Sequence, residues 1–308
     1  MNAYRPRVLV TGATGFVGGR LAGELVEQGH PVRCLVRDRR RAEQLERAGC
    51  ELYEGDVLER DSLTGAGTGV EVAYYLIHSM GRGGDRSSFA ERERRAASNF
   101  AAMARADGVG RVVYLGGLGD RPSSEHLASR AETAAVLARE GPPLTWFRAG
   151  MVIGAESESY RILRHLVKRL PVMIAPAWLR NRTQPIAIDD VLAYLSQAAR
   201  RPESAGREIQ IGGPDVVTYA ELIAMMADVL GVRPRPQLPV PLLSPRLSSL
   251  WIGLVTPVDV GVARPLVESL AVETVVSDRS GQEPFDVEPT PALEALRRAS
   301  AAGGSAAP

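Results

Sequence analysis

Gly12, Gly15 and Gly18 recur every third residue in Thr11-Gly12-Ala13-Thr14-Gly15-Phe16-Val17-Gly18. Before them runs the short apolar segment Val8–Thr11. After them, Phe16, Val17, Leu21, Leu25 and Val26 fall at helical spacing. A strand, a glycine turn and a helix in that order can cradle an anion. Glycine lets a pyrophosphate approach the backbone, and the unpaired N–H groups and dipole of the first helical turn hold its charge. The spacing predicts a dinucleotide site built from Thr11, Gly12, Thr14, Gly15, Phe16, Val17 and Gly18. The second strand ends Val36-Arg37-Asp38-Arg39-Arg40-Arg41. An acid at this place bonds a ribose 2′-hydroxyl, and an arginine accommodates a 2′-phosphate. Arg37 comes first, so the expected cofactor is NADP(H). The alternative is that these arginines form a solvated, basic helix start.

Other chemistries find little support. Cys34 and Cys50 match no zinc spacing, and four scattered histidines add no metal cluster, so no metal is expected. Two reduced thiols fit a cytoplasmic protein. Lys+Arg is 37 and Asp+Glu 36, a balance that does not recommend a nucleic-acid partner. Lys168 is the only lysine, leaving 36 arginines among the 37 basic residues. Any step needing a lysine must use Lys168 or do without. The polar start, residues 1–7, does not read as a signal peptide. The longest weakly charged apolar stretch, residues 247–258, is too short to span a bilayer. It is a candidate subunit contact, which would make a homodimer, or a membrane-surface contact.

The elements around the glycine turn alternate. Apolar runs at Val8–Thr11, Val32–Val36, 51–53, 70–77, 111–115 and 144–152 read as strands. Helical patterns occupy residues 16–28, 40–48, 89–106 and 130–139, and Gly29 is placed to stop the first. This predicts an α/β fold with a Rossmann-type doubly wound parallel sheet and a small C-terminal substrate-binding subdomain. Residues 1–155 would be the NADP-binding core and 156–276 mainly the substrate subdomain, with 184–212 returning to the core. In this part, 160–170, 189–200 and 219–230 read as helices, and Glu208–Ile211 as a strand. Thr218 and Glu221 are spaced as a capping box. Residues 277–308, ending almost wholly in Ala, Gly and Ser, are expected to be a disordered tail.

These residues together resemble the short-chain dehydrogenase/reductase superfamily in its extended and atypical branches. The resemblance runs over about residues 8–276. Besides the glycine turn it rests on Gly55-Asp56-Val57, on Tyr74-Tyr75-Leu76-Ile77-His78-Ser79, and on Asn99. It also rests on Arg148-Ala149-Gly150-Met151-Val152-Ile153-Gly154, on Ile188-Asp189-Asp190-Val191 and on Ile211-Gly212-Gly213. Phrases such as "YYLIHSMG" and "RLPVMIAPAWLR" resemble the subgroup of NAD(P)H-binding, nucleoside-diphosphate-sugar epimerase-like or NmrA-like proteins. The resemblance implies that Asp56 and Val57 reach the adenine and that Leu76 and His78 pass the middle of the cofactor. It implies that Gly150 and Met151 flank the nicotinamide.

The resemblance fails at the active site. Ordinary members use Ser and Tyr-x-x-x-Lys, the tyrosine giving a proton to the carbonyl oxygen. Here His126 stands in the tyrosine's place, Arg130 in the lysine's, and Gly116 and Gly117 in the region of the serine. His126 is then a candidate acid, because an imidazolium suits proton donation near neutral pH; the alternative is a polar helix-start residue. Arg130 stays charged and would hold ribose or phosphate rather than give a proton. Ser79 is a second catalytic candidate and, with His78, a candidate substrate-facing group; the alternative is a pyrophosphate or loop contact. On the substrate side Tyr160, Met173, Trp178 and Trp251 are candidates, with core packing as their alternative. Few charges fall between residues 236 and 258, which suits an apolar ligand better than a nucleotide-sugar.

The expected activity is therefore NADPH-dependent reduction of a ketone or quinone carbonyl on a hydrophobic small molecule, without the usual Tyr/Lys acid. The arginine-for-lysine bias resembles GC-rich genomes rich in secondary metabolism, so an aromatic polyketide-type substrate and a place in antibiotic biosynthesis are expected. A non-catalytic NADP(H) sensor is the alternative. A nucleotide-sugar epimerase or dehydratase ranks third.

Overall fold

Val8–Thr11 (β1) and Val32–Val36 (β2) are buried at every residue. A strand with no exposed residue is covered on both sides, which is the condition of a parallel sheet. The computed structural model describes residues 4–77, 86–119, 125–169, 173–233, 237–239, 270 and 272–304. Between β1 and β2 lies α1 (Phe16–Glu27), and α2 (Glu43–Arg47), β3 (Glu51–Glu54), β4 (Val72–Tyr75) and α3 (Arg86–Ala106) follow. Then come β5 (Arg111–Gly117), α4 (Glu125–Glu140), β6 (Leu144–Ala149), β7 (Val152–Ile153), α5 (Glu158–Arg169) and β8 (Met173–Ala175). The chain continues through β9 (Arg182–Thr183), β10 (Ile186–Ala187), α6 (Ile188–Ala198), β11 (Glu208–Ile211), β12 (Val217–Thr218), α7 (Tyr219–Val229), β13 (Gln237–Pro239) and α8 (Ala292–Gly304).

The seven-stranded sheet has the order β11-β6-β5-β4-β1-β2-β3, and every pairing is parallel. It is a Rossmann-type α/β sheet. Its order reverses between β1 and β4, and ligands of such sheets bind in the crevice beyond the strand ends at that point. Leu21 and Leu25 of α1 and Val191 and Leu195 of α6 cover one face. Ala97 and Phe100 of α3 and Leu137 of α4 cover the other. A smaller helical lobe has its own core, including Tyr160 and Leu166 of α5, Leu222 and Met226 of α7, and Leu296 of α8. Thr218 caps α7 in a complete capping box with Glu221.

The segment expected to be a disordered tail is ordered over residues 277–304. Ala292, Ala295, Leu296 and Ala299 recur at i, i+3, i+4 and i+7, and all are buried, the last three in the lobe core. Small side chains there let α8 lie close, a packing role that bulk composition conceals. The lead-in is also held. The Asp190 carboxylate accepts from the Thr290 backbone N–H at 2.7 Å and its hydroxyl at 2.9 Å, and Asp215 accepts from Ala292 N–H at 2.8 Å.

One buried histidine ties the start of the fold. After α1, Gly29 turns the chain at φ +80, and His30 Nδ1 donates to the Pro6 carbonyl at 3.0 Å. Burial pushes its pKa below the usual value, opposed by that bond and aided by Arg200 and Arg5. The unfolded chain therefore binds this proton more readily than the folded one. Its contribution to stability is present above about pH 6.5 and fades as pH falls through the lowered folded value. Thermal melts of His30→Gln should accordingly show a shallower loss between about pH 7 and pH 5 than the parent. An unchanged slope would dissociate His30 from the acid sensitivity.

Candidate functional site

The chain leaves β1 into Gly12 at φ +66, a left-handed conformation that other residues rarely adopt. A Cβ here would stand 2.4 Å from the Leu76 carbonyl oxygen, and one at Gly18 would stand 2.3 Å from the Gly12 oxygen. Gly15 N–H closes the turn on Gly12 O at 2.9 Å. Gly15 then serves as the N-cap of α1 with no side chain to accept the first helical N–H groups. Those donors have no intrahelical acceptors, so the turn presents a concave row of N–H groups at a helix start.

A cleft of about 1100 Å³ opens over this row. Gly12, Thr14, Gly15, Phe16, Val17 and Gly18 all line it. On the β2–β3 side stand Arg37, exposed, and Asp56 and Val57. The Asp38 carboxylate is engaged locally, accepting from Arg40 N–H at 3.0 Å as the cap of a short 3-10 turn. Asp56 Oδ1 accepts from Leu58 N–H at 2.9 Å, and Ser62 Oγ accepts from Asp56 N–H at 2.9 Å. Asn99 Nδ2 donates to the Val57 carbonyl at 2.9 Å and fixes the loop from α3.

On the other side the cleft follows the ends of β4, β5 and β6 through Leu76, Gly116, Gly117, Leu118, Gly150 and Met151. Arg130 of α4 lines this wall. Its Nη1 lies 3.4 Å from the Leu115 carbonyl, while its Nε is buried with no partner. Burial lowers its pKa, opposed by Tyr114 and Glu93. Arg148 carries the neighbouring loop: Nε donates to Gly117 O at 3.2 Å, Nη2 donates to Gly119 O, and Nη1 pairs with Glu208 at 2.5 Å.

The cleft then enters the helical lobe. Arg161, Ile162, Leu163 and Leu166 of α5, Trp178, and Tyr219, Leu222 and Ile223 of α7 line it there, with Leu270 and Thr274. The walls are apolar, and Arg161 and Glu158 stand on the α5 side at 3.7 Å from each other.

Two sequence expectations are corrected. Thr11 is fully buried and does not line the cleft. Its hydroxyl donates to Tyr74 O at 3.0 Å and accepts from Leu76 N–H at 3.2 Å, stapling β1 to the end of β4. Tyr160 is 1% exposed and packs inside the lobe core, so it does not face a substrate. His126 lies on α4 and Met173 on β8, but their side chains fall outside the described residues, as do His78, Ser79 and Trp251 altogether. Trp178 does line the cleft. Sequence reading passed over Tyr219 and Thr274. Tyr219 is disguised as the first residue of a capped amphipathic helix. Thr274 joins the cleft only through its 91-residue separation from Thr183, with which it forms a β-bridge.

The cradle fits a dinucleotide: its row of free N–H groups suits a pyrophosphate, and the orphaned Arg130 Nε lies in the same cleft. Fold and cradle define a dinucleotide-binding Rossmann protein. The model of a family described as NAD(P)H-binding matches residues 12–169. The chain belongs to this NAD(P)H-binding family. It is 32% identical over 123 residues to a 2-alkyl-3-oxoalkanoate reductase of Stenotrophomonas maltophilia, a match over 40% of this chain and 36% of that one. It is 26% identical over 289 residues to subunit 9 of the NADH dehydrogenase [ubiquinone] 1 alpha subcomplex of Arabidopsis thaliana. That match covers 88% of this chain and 71% of the plant protein. Among solved structures, an NADPH-dependent quinone oxidoreductase of Escherichia coli, complexed with NADPH, shares the fold. The TM-score is 0.74 at 20% identity, covering 94% of this chain and 98% of that one. No helix among the described residues is long and apolar enough to cross a membrane.

Proposed function

We propose that the protein is an NADPH-dependent ketoreductase acting on a ketone or quinone carbonyl of a hydrophobic small molecule. One observation carries this reading. A single cleft joins the pyrophosphate cradle to an apolar wall made by Ile162, Leu163, Leu166, Trp178, Leu222 and Ile223. Such a wall suits an aliphatic or polycyclic body, with few polar groups to orient it. The Stenotrophomonas relative, named for reducing an alkyl-bearing oxo acid, supports the same substrate chemistry. When bound, the cofactor supplies a hydride. The chain's own part is to hold the pyrophosphate at α1, the 2′-phosphate at Arg37 and the adenine beside Asp56 and Val57. Arg130 would bind ribose or phosphate, and Gly150 and Met151 would flank the nicotinamide. An aromatic polyketide-type substrate remains the specific expectation.

The preference for NADPH rests on Arg37, exposed on the cleft, while Asp38 is occupied by its own turn. A hydrogen bond to a charged group contributes about 1.5–3 kcal/mol, or roughly 10- to 150-fold in affinity. Arg37→Ala should weaken NADPH binding by about that factor and leave NADH binding unchanged. Parent protein that binds NADH as tightly as NADPH would show the assignment of Arg37 to be wrong.

A second reading is a non-catalytic NADP(H) sensor. It is favoured by His126 and Arg130 standing where the resembled superfamily has its Tyr and Lys, and by the plant relative named as a subunit of an NADH dehydrogenase subcomplex. Both readings meet one experiment. NADPH oxidation is followed across polycyclic aromatic ketones, quinones and simple ketones, with NADPH binding measured in the same samples. Turnover on one class establishes the reductase. Tight binding without turnover on any class establishes the sensor reading in its place.

A further inference from the structure

A buried hydroxyl cluster reaches the cleft wall through two of its three members, Tyr219 and Thr274. Thr183 Oγ1 and Thr274 Oγ1 lie 2.8 Å apart, Thr183 fully buried and Thr274 6% exposed. The Tyr219 phenol lies beside both threonines, whose hydroxyls act to lower its pKa. Tyr219 and Thr274 line the cleft, and the Trp178 ring meets the Tyr219 ring edge-on at 6.2 Å between centroids. Three polar groups at the root of an apolar lobe call for an explanation, since burying a hydroxyl in such surroundings costs stability unless it is bonded.

Their place in the cleft gives one. A dinucleotide lies across the switch point of this sheet with its pyrophosphate at α1. Arg37 and Asp56 mark the adenosine half on the β2–β3 side, so the nicotinamide half lies toward the ends of β4, β5 and β6. Thr274 Oγ1 would stand 3.5 Å from a Cβ on Gly150, at the end of β6. The cluster thus sits where the nicotinamide end meets the apolar lobe.

Among the described tyrosines only Tyr114 and Tyr219 line the cleft. The Tyr114 hydroxyl donates to the Arg130 carbonyl at 3.2 Å, on the α4 side of the sheet. That leaves Tyr219 as the phenol placed at the lobe.

We infer that Tyr219 donates the proton to the substrate carbonyl oxygen, with Thr274 and Thr183 holding its hydroxyl and relaying the replacement proton. This rests on the ketoreductase reading. As a new C–H bond forms with the transferred hydride, the carbonyl π pair moves onto oxygen. That oxygen takes the proton of Tyr219 Oη–H, forming the alcohol and leaving tyrosinate. The tyrosinate recovers a proton from water through Thr274 Oγ1, so one solvent proton is consumed per carbonyl reduced. Burial raises the pKa of Tyr219, and the neighbouring Thr183 and Thr274 hydroxyls oppose that rise. A phenol made less acidic by burial still protonates an alkoxide, which is more basic.

The test uses the full chain and the best substrate of the ketone and quinone panel, in two forms. Turnover is measured with NADPH. Separately, the substrate labelled with carbon-13 at the carbonyl is bound with NADP+, where no hydride moves, and its carbonyl resonance is recorded. Tyr219→Phe should lower kcat by about a hundredfold or more, the usual scale of a general acid. KM, NADPH affinity and melting temperature should stay near the parent's. The carbonyl resonance, shifted downfield by the hydrogen bond in the parent, should move back. Thr274→Val should lower kcat by about tenfold, a smaller effect as befits a positioning hydroxyl, and Thr274→Ser should restore it.

A Tyr219→Phe protein within about threefold of the parent in kcat overturns the inference while the reductase reading stands. A fall in kcat with an unmoved carbonyl resonance also overturns it, because Tyr219 then does not touch the oxygen. Should Tyr219→Phe fail to fold, the resonance and kcat of Thr274→Val and Thr274→Ser decide alone. A parent that binds NADPH and turns over nothing on the panel removes the reductase reading, and the inference with it.

Discussion

Gly18→Val should weaken NADPH binding by about a hundredfold or more while leaving a folded protein. The Cβ it introduces would stand 2.3 Å from the Gly12 oxygen and 2.8 Å from the Gly12 carbonyl carbon. These are backbone atoms, so no side chain can swing aside. Nor can Gly12 retreat easily, being itself packed against the Leu76 carbonyl. The turn must open, and the N–H row then no longer matches a pyrophosphate. Forced repacking of this kind costs about 1–3 kcal/mol, to which the lost anion contacts add. Each 1.4 kcal/mol is about tenfold in affinity. Gly23→Ala is the control: on the same helix its Cβ would meet nothing within 4 Å. It should leave NADPH binding unchanged and stabilise the protein by about 0.5–1 kcal/mol. Fluorescence titration of NADPH measures both. Near-parental affinity in Gly18→Val would mean that the pyrophosphate sits elsewhere.

Leu296→Ala should destabilise the protein by about 2–5 kcal/mol, as expected for a leucine emptied from a packed core. Leu296 is fully buried among α5 and α7 residues although it lies twelve residues before the last residue of the sequence. Its helix backs the two helices that wall the apolar lobe. The defect should therefore raise the KM of a lobe-bound substrate more than the Kd of NADPH, whose cradle belongs to the other core. Urea unfolding and the two binding measurements check this. A loss below about 0.5 kcal/mol, typical of a surface position, would mean that α8 does not dock in solution.

Much of the sheet and the cradle was legible because their causes are local. Val8–Thr11 and Val32–Val36 are strands at the residues read from the sequence, since short, mainly apolar runs beside turn residues are covered well within a parallel sheet. The capping box at Thr218 needs only the three residues that follow it. Elements with weaker periodicity came out displaced. The helix read over residues 89–106 begins at Arg86, and that over 130–139 spans Glu125–Glu140, because polar first turns carry no apolar stripe. The C-terminal helix was missed for a related reason. Its buried stripe is mostly alanine, which reads as bland composition until a partner surface makes small size an advantage.

The sequence by itself determined that a pyrophosphate cradle stands between the first strand and the first helix. Glycine spacing and helix-terminal N–H groups act within a dozen residues, so no distant contact is needed to define them. The chain's resemblance to a family that uses Tyr-x-x-x-Lys also carried the expectation that His126 and Arg130 stand in those two places. Tertiary structure decided which side chains meet the cradle and the lobe. It turned Thr11 and Tyr160 inward, carried Trp178 to the cleft wall, and brought Tyr219, Thr183 and Thr274 together. Those outcomes depend on how the helices pack over the sheet and on a bridge between segments 91 residues apart, and no local pattern encodes either.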